Sequence, residues 1–353
     1  MIKRSLGATG VISILGSIAC ASAGVSRQAV TPVAHGGVAE SHVRSDMSAL
    51  ADDSMKGRMT GSPGSAKAAA FIAGQMSSIG LVPQGDSGYF QRVPIAVTRR
   101  ANGQERLTLA GSFAALDTFP ADHRKPGVNV VGMIRGSDPA LSQEVVLVDA
   151  HYDHLGVGKA VDGDSIYNGA DDDASGTTAV LEIARSIAAG RAPRRSILFV
   201  ATTGEEVGLL GTRWFIQHPP VALKAIVSNL EIEMIGRPDS LSGGVGRAWL
   251  TGYDRSTMGA MFTAAGLPIV ADARPDQHFF ERSDNIAYAQ MGIPAHTLSS
   301  YNMHTDYHKP SDELSRVDFG HMTRVIQAGV EAVRLLADGP VPHWNPGGQP
   351  APR

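Results

Sequence analysis

The chain has 353 residues, with 40 glycines, 20 prolines and one cysteine; it is 43% hydrophobic, 18% charged, and carries a formal net charge of −3. This is a globular composition, long enough to bury a sizeable core in one large α/β domain or two small ones. A lone cysteine excludes a disulfide-stapled scaffold and a Cys-ligated zinc site, and the lack of any basic run argues against a nucleic-acid partner. Against that low charge, 12 histidines and several tight carboxylate clusters stand out.

The N-terminus reads as a secretory leader. Lys3 and Arg4 form a basic start, an apolar stretch runs from Val11 to Ala19, and small residues follow, with Ala19-Cys20-Ala21 and Ala21-Ser22-Ala23 both of A-x-A type. The apolar stretch is too short to span a membrane, and no other stretch is long and apolar enough to do so. Signal cleavage after Ala23 predicts an exported, periplasmic or secreted protein and takes the net charge from −3 to −5 by removing Lys3 and Arg4. Cys20 offers an alternative, a lipid anchor, although Ser17-Ile18-Ala19 is a poor lipobox.

Residues 24–39 are small and polar and read as a linker. From Val43 to Leu81 apolar residues recur at helical spacing around a Gly/Pro break at residues 57–64, and Ala66–Ile79 reads as a helix closed by Gly80. Buried strands are expected at Val128–Ile134, Glu144–Ala150, Ser196–Ala201, Ala225–Met234 and Pro294–Leu298. Between them, helical patterns cover Thr178–Ala189, Leu209–Gln217 and Thr257–Ala265. Strands alternating with helices predict an α/β fold, a mostly parallel central sheet flanked by helices on both faces. No internal repeat is evident. About 35 residues separate Val93 from Val128, too few for an inserted domain. One domain is therefore expected over residues 40–338, followed by a flexible Pro/Gly-rich tail at 339–353.

Five clusters of potential ligands fall just after predicted strands or at a helix start: His151-Tyr152-Asp153-His154, Asp171-Asp172-Asp173, Glu205-Glu206, Glu231 with Glu233, and His304, Asp306 and His308. Open α/β sheets bind ligands at the carboxyl ends of their strands, so one sheet edge would gather all five. Imidazoles mixed with carboxylates, without thiolates, suit zinc or a similar divalent ion. Basic residues near these motifs are few (Lys159, Arg237, Lys309), which makes metal the better counter-charge. Two divalent ions would balance Asp172, Glu205, Glu206 and Glu233.

The ordered motifs HYDHLG, NGADDDASG, TGEEVGLLG, NLEIEMIGR and YHKPSDEL resemble those of the zinc aminopeptidase family M28, which includes secreted bacterial leucyl-type enzymes. The likeness runs from about Val43 to about Asp318. It implies two zinc ions held by His151, Asp172 (bridging), Glu206, Glu233 and His308. It further implies Glu205 as general base, Asp153 as the carboxylate orienting His151, and a cis peptide bond after Asp172. Glu233 departs from the family, which usually has Asp before this Met, and Glu231 competes for that position. Tyr307 is a candidate donor to the developing oxyanion, and Arg282-Ser283-Asp284 resembles a stretch lining the substrate pocket. The substrates implied are peptides with a free N-terminus, whose α-amine would be held by acidic groups beside the second metal. Three rivals share the fold: a one-zinc glutaminyl cyclase, a carboxypeptidase (for which only scattered arginines are available) and a non-enzymatic binding protein.

Overall fold

The computed structural model describes residues 1–2 and 37–352; the leader, Cys20 and nearly all of the 24–39 linker lie outside the described residues. The helices are α1 (Glu40–Leu50), α2 (Pro63–Ile79), α3 (Phe113–Leu116), α4 (Gly176–Ala189), α5 (Leu210–Gln217), α6 (Met258–Ala264), α7 (Asn285–Gln290) and α8 (Phe319–Asp338). The strands are β1 (Val82–Pro83), β2 (Phe90–Arg99), β3 (Glu105–Leu109), β4 (Arg124–Ile134), β5 (Val145–His151), β6 (Gly156–Val161), β7 (Asp164–Tyr167), β8 (Ser196–Thr202), β9 (Ile226–Ile232), β10 (Ala248–Leu250), β11 (Ile269–Ala271) and β12 (Ala295–Ser299).

Ten strands form one mixed sheet in the order β11-β10-β12-β9-β5-β8-β4-β2-β3, with β1 beside β4, while β6 and β7 make a separate hairpin. The centre β12-β9-β5-β8 is parallel, as expected. The flanks are less so: β4, β2 and β3 add antiparallel to β8, and β10 is antiparallel to β12. Every residue of β5 and β8 is buried, as continuous apolar runs with helices on both faces should be. The side chains alternate. Val146, Val148 and Ala150 join the core under α2, α4 and α8, whereas Val145 and Leu147 join the opposite core with Phe215 of α5 and Ile286 of α7.

Local signals set the helix ends. Ser62 caps α2 by accepting from the Ser65 N–H, Pro63 occupies the first turn, and Gly80 closes it in the left-handed region at φ 86°. Asp318 caps α8 by accepting from the His321 N–H. The tail departs from expectation. Its Pro/Gly content suggested a loose end, but Trp344 donates from Nε1 to the Gly292 carbonyl (2.9 Å) and packs edge-on against Phe280, and the Asn345 N–H bonds the Arg255 carbonyl (2.9 Å). One indole anchors what composition alone left free. Among the described residues no helix is long and apolar enough to cross a membrane.

Two buried histidines make stability pH-dependent. His296 of β12 donates from Nδ1 to the Thr251 carbonyl (2.7 Å) and accepts at Nε2 from Ser256 (2.6 Å). His321 accepts at Nδ1 from the Gly246 N–H (2.9 Å). Burial pushes both down from 6.5 to about 4. The unfolded chain takes up these protons as pH falls through 6.5, and the native state not until about 4. The stabilisation is therefore complete above pH 6.5 and is lost progressively towards pH 4, by about 3 kcal/mol for His296 alone. The melting temperature is expected to fall over this window, and to fall less steeply in His296→Asn. Parallel profiles for the two proteins would refute the assignment.

Candidate metal centre

The four parallel strands point the same way, and their carboxyl ends deliver the centre. His151 is the last residue of β5, Glu205 and Glu206 follow β8, Glu233 follows β9, and Tyr307 and His308 lie in the loop beyond β12. Asp172 arrives from the turn before α4, where Gly176 is required: a Cβ there would stand 2.0 Å from the Ile232 carbonyl oxygen.

The three consecutive aspartates have separate jobs. Asp171 accepts from the Gly236 N–H (2.7 Å) and pairs with His304 Nε2 (2.9 Å). Asp173 accepts from the N–H groups of Gly176 (2.9 Å) and Met234 (3.0 Å). These bonds tie the turn to the loops after β9 and β12 and leave the Asp172 carboxylate facing the histidines, beside the cis Asp172–Asp173 bond. His151 Nε2 lies 3.4 Å from Asp172 Oδ1; His308 Nε2 lies 3.2 Å from both Asp172 Oδ2 and Glu206 Oε2. Two groups of potential ligand atoms, each within 4.8 Å, share Asp172: His151, Asp172 and Glu233, and His154, Asp172 and Glu206. The Nε2 atoms of His151, His154 and His308 are buried without a hydrogen-bond partner.

Glu231 is spoken for elsewhere. Its oxygens accept from the Ser283 hydroxyl (2.5 Å), the N–H groups of Asp284 (3.1 Å) and Asn285 (2.8 Å), and Thr297 (2.8 Å). It is Glu233 that meets His151 and Asp172, and Arg282-Ser283-Asp284 is thus partly a cradle for Glu231. Asp153 also differs from expectation. Its Oδ1 is 3.9 Å from His151 Nδ1, beyond hydrogen-bond length, and the backbone carbonyl of Asp153 at 3.2 Å is the imidazole's nearer partner. The carboxylate instead accepts from Thr60 (2.8 Å) and from the Glu205 N–H (3.2 Å). Asp153 therefore orients the glutamate pair at least as directly as the histidine.

His154, on which the motif reading placed no firm role, bonds Glu206 Oε1 through Nδ1 at 2.7 Å. The largest omission is Arg58. Fully buried, it donates to the carbonyls of Tyr152 (2.7 Å), Leu50 (2.7 Å), Asn168 (2.6 Å) and Gly169 (2.9 Å). Asp312, in the quoted YHKPSDEL, accepts from the N–H groups of Asp171 (3.0 Å) and Asp172 (3.1 Å) and from Arg237 (3.1 Å). Lys159 and Lys309 are exposed, and Arg237 is committed to Asp306 and Asp312.

The electrostatics ask for a cation. Burial, reinforced by neighbouring carboxylates including Glu233, pushes Glu205 well above the usual carboxylate range; burial and Glu231 push Glu233 up to about 8. Asp172 is held well below that range: burial opposes this, but the three imidazoles of His154, His151 and His308 prevail. Carboxylates that crowd together at this cost, with imidazole nitrogens left unpaired among them, fit zinc: nitrogen and oxygen donors, no thiolate, and a carboxylate shared by two groups.

Beside Glu233 the site opens into a pocket of ≈ 40 Å³ whose wall is Trp249, Phe279 and Tyr301. Trp249 stacks on Phe279 at 5.1 Å, and Tyr307 stacks on His308 at 3.8 Å. Asp172, Glu205, Glu206 and Glu233 line the same pocket.

The fold and motifs have counterparts among known proteins. The chain is 27% identical over 263 residues to leupeptin-inactivating enzyme 1 of Streptomyces exfoliatus, an alignment covering 67% of this chain and 55% of that protein, so the chain spans only about half of this relative's length. A zinc aminopeptidase from Bacillus subtilis has a similar fold (TM-score 0.63, 16% identity, 85% of this chain and 96% of that one). So does glutaminyl cyclase from Porphyromonas gingivalis (TM-score 0.59, 16% identity, 84% and 98%). The profile of peptidase family M28 matches residues 129–333, which hold every potential ligand described above; the chain belongs to peptidase family M28.

Proposed function

We propose that this protein is an exported metallo-aminopeptidase that removes the N-terminal residue of peptides at a two-zinc centre. The carrying observation is a pocket lined by both aromatic rings and four carboxylates: it suits an apolar side chain next to a free ammonium group. His151, Asp172 and Glu233 would hold one ion, and Asp172, Glu206 and His308 the other. Zinc at those positions supplies Lewis acidity towards the scissile carbonyl and lowers the pKa of water.

The protein's own groups do the rest. Glu205, with a 13% exposed side chain and its N–H fixed by Asp153, takes the proton of the attacking water and returns it to the leaving amine. Tyr307 faces the same pocket and is the candidate donor to the developing oxyanion. His154 fixes the rotamer of Glu206, as partners of ligating carboxylates do. Export rests on the leader at residues 1–23, with a lipid anchor at Cys20 as its variant.

A second reading, glutaminyl cyclisation, draws on the fold shared with the Porphyromonas gingivalis enzyme. One experiment separates the readings: zinc content by elemental analysis, together with a panel of aminoacyl-p-nitroanilides, N-acetylated controls and an N-terminal glutamine peptide. Two zinc ions per chain and hydrolysis abolished by N-acetylation are expected. Pyroglutamate release with one zinc would establish the cyclase, and cleavage of acetylated peptides would overturn the aminopeptidase assignment.

A further inference from the structure

The leaving-group side of the scissile bond carries a charge pattern of its own, and the inference from it rests on the aminopeptidase reading. The aromatic pocket is small at ≈ 40 Å³, so the remainder of a peptide must run out over the open side. Two clefts share Glu206 with that pocket. One of ≈ 920 Å³ is lined by Glu205, Glu206, Glu281, Tyr307, Arg213 and Arg282; another of ≈ 650 Å³ is lined by Glu206, Glu105, Arg213, Arg100 and Arg106. Glu206 and Arg213 belong to both, so Arg213 stands where chain leaving the centre enters either cleft.

The fold assembles this cluster from distant sequence. Arg100 and Arg106 flank the turn between β2 and β3, and Arg213 is an exposed position of α5, whose Trp214 and Phe215 are buried. Among the described residues none of these three arginines has a carboxylate within salt-bridge distance, whereas neighbouring Arg99 pairs with Glu105 at 3.6 Å. Three unpaired guanidinium groups on one cleft, in a chain of net charge −3, are a local feature and not a reflection of overall basicity. A planar carboxylate matches the guanidinium fork of such an arginine.

We propose that Arg213, backed by Arg100 and Arg106, receives a carboxylate on the departing part of the peptide: the C-terminus of a short peptide, or an acidic side chain downstream of the cleaved bond. The gain is modest because the site is partly exposed: about fivefold in kcat/KM, and salt-sensitive.

The test compares four substrates sharing an N-terminal leucine: Leu-Ala-Ala with a free C-terminus, Leu-Asp-Ala-amide, Leu-Ala-Asp-amide, and Leu-Ala-Ala-amide as the neutral reference. At least one carboxylate-bearing peptide is expected to exceed the reference about fivefold, mainly through KM, and the identity of that peptide tells terminal from side-chain recognition. The ratio to the reference should approach one in Arg213→Gln and at about 0.5 M salt, and fall in part in Arg106→Gln. Equal rates for all four substrates in the wild type, or a preference surviving Arg213→Gln, would overturn the proposal. If even the neutral amide is not cleaved, the aminopeptidase reading fails instead.

Discussion

Glu205→Gln is expected to lower kcat for a leucine anilide by about 10³-fold with little change in KM, zinc content or melting temperature. The carboxamide has the size and shape of the carboxylate, and the N–H that Asp153 holds at 3.2 Å is backbone, so the loop stays in place. What is lost is the basic oxygen. Glu205 lies 4.0 Å from His151 Nε2 and outside both potential ligand groups. Glu206→Gln should behave differently: it removes a charge from a ligand group and from the His154 bond, and zinc content should drop along with rate. Turnover of Glu205→Gln within tenfold of wild type, at unchanged zinc content, would remove Glu205 from the base role.

The parts of this centre that were legible in sequence are those dictated by local chemistry. EVVLVDA and SILFVA read as buried strands because both faces must be apolar under two helical layers, and ligand-type residues at their ends follow from strand direction. The antiparallel flank was not legible. β2 mixes buried and exposed residues without clean alternation, and its pairing with β4 joins residues 28 to 40 positions apart and leaves no local mark. The terminal helix α8 is amphipathic over Phe319–Asp338 but carries no ligand-type motif and lies beyond the last one. The strand puts Glu231 and Glu233 on one face, and only the Met234-Ile235-Gly236-Arg237 that follows favours Glu233; donors from Ser283, Asn285 and Thr297, 52 to 66 residues away, occupy Glu231. The same limit explains the arginines: Arg100, Arg106 and Arg213 are scattered in sequence and meet only when β3 and α5 come together.

Arg58 is where that limit matters most, and its removal should be the most damaging change away from the ligands. Arg58→Met is expected to destabilise the protein by about 3–5 kcal/mol and to lower the melting temperature by roughly 10 °C. The residue sits in the GRMT loop that reads as a simple break between helices. Lys56 and Arg58 adopt left-handed φ values of 51° and 50°, uncommon for residues other than glycine, and with them the guanidinium is buried. There its four hydrogen bonds join the end of α1 at Leu50, the loop carrying His151 and Asp153 at Tyr152, and the approach to Asp172 at Asn168 and Gly169. Methionine matches the stem but strips the Tyr152, Leu50 and Asn168 carbonyls of this donor, leaves Gly169 only the Ala174 N–H (3.2 Å), and removes a positive charge facing Asp172, Asp173, Asp153 and Asp312. Lysine keeps the charge yet presents a single nitrogen, so Arg58→Lys should fall between the two. Because the carbonyls lie on the very loops that present His151 and Asp172, both variants should also bind zinc more weakly, and added zinc should recover less of the lost melting temperature than it does for wild type. Thermal denaturation with and without zinc measures both effects. An Arg58→Met protein melting within 2 °C of wild type would show that this guanidinium is not what holds the two loops together.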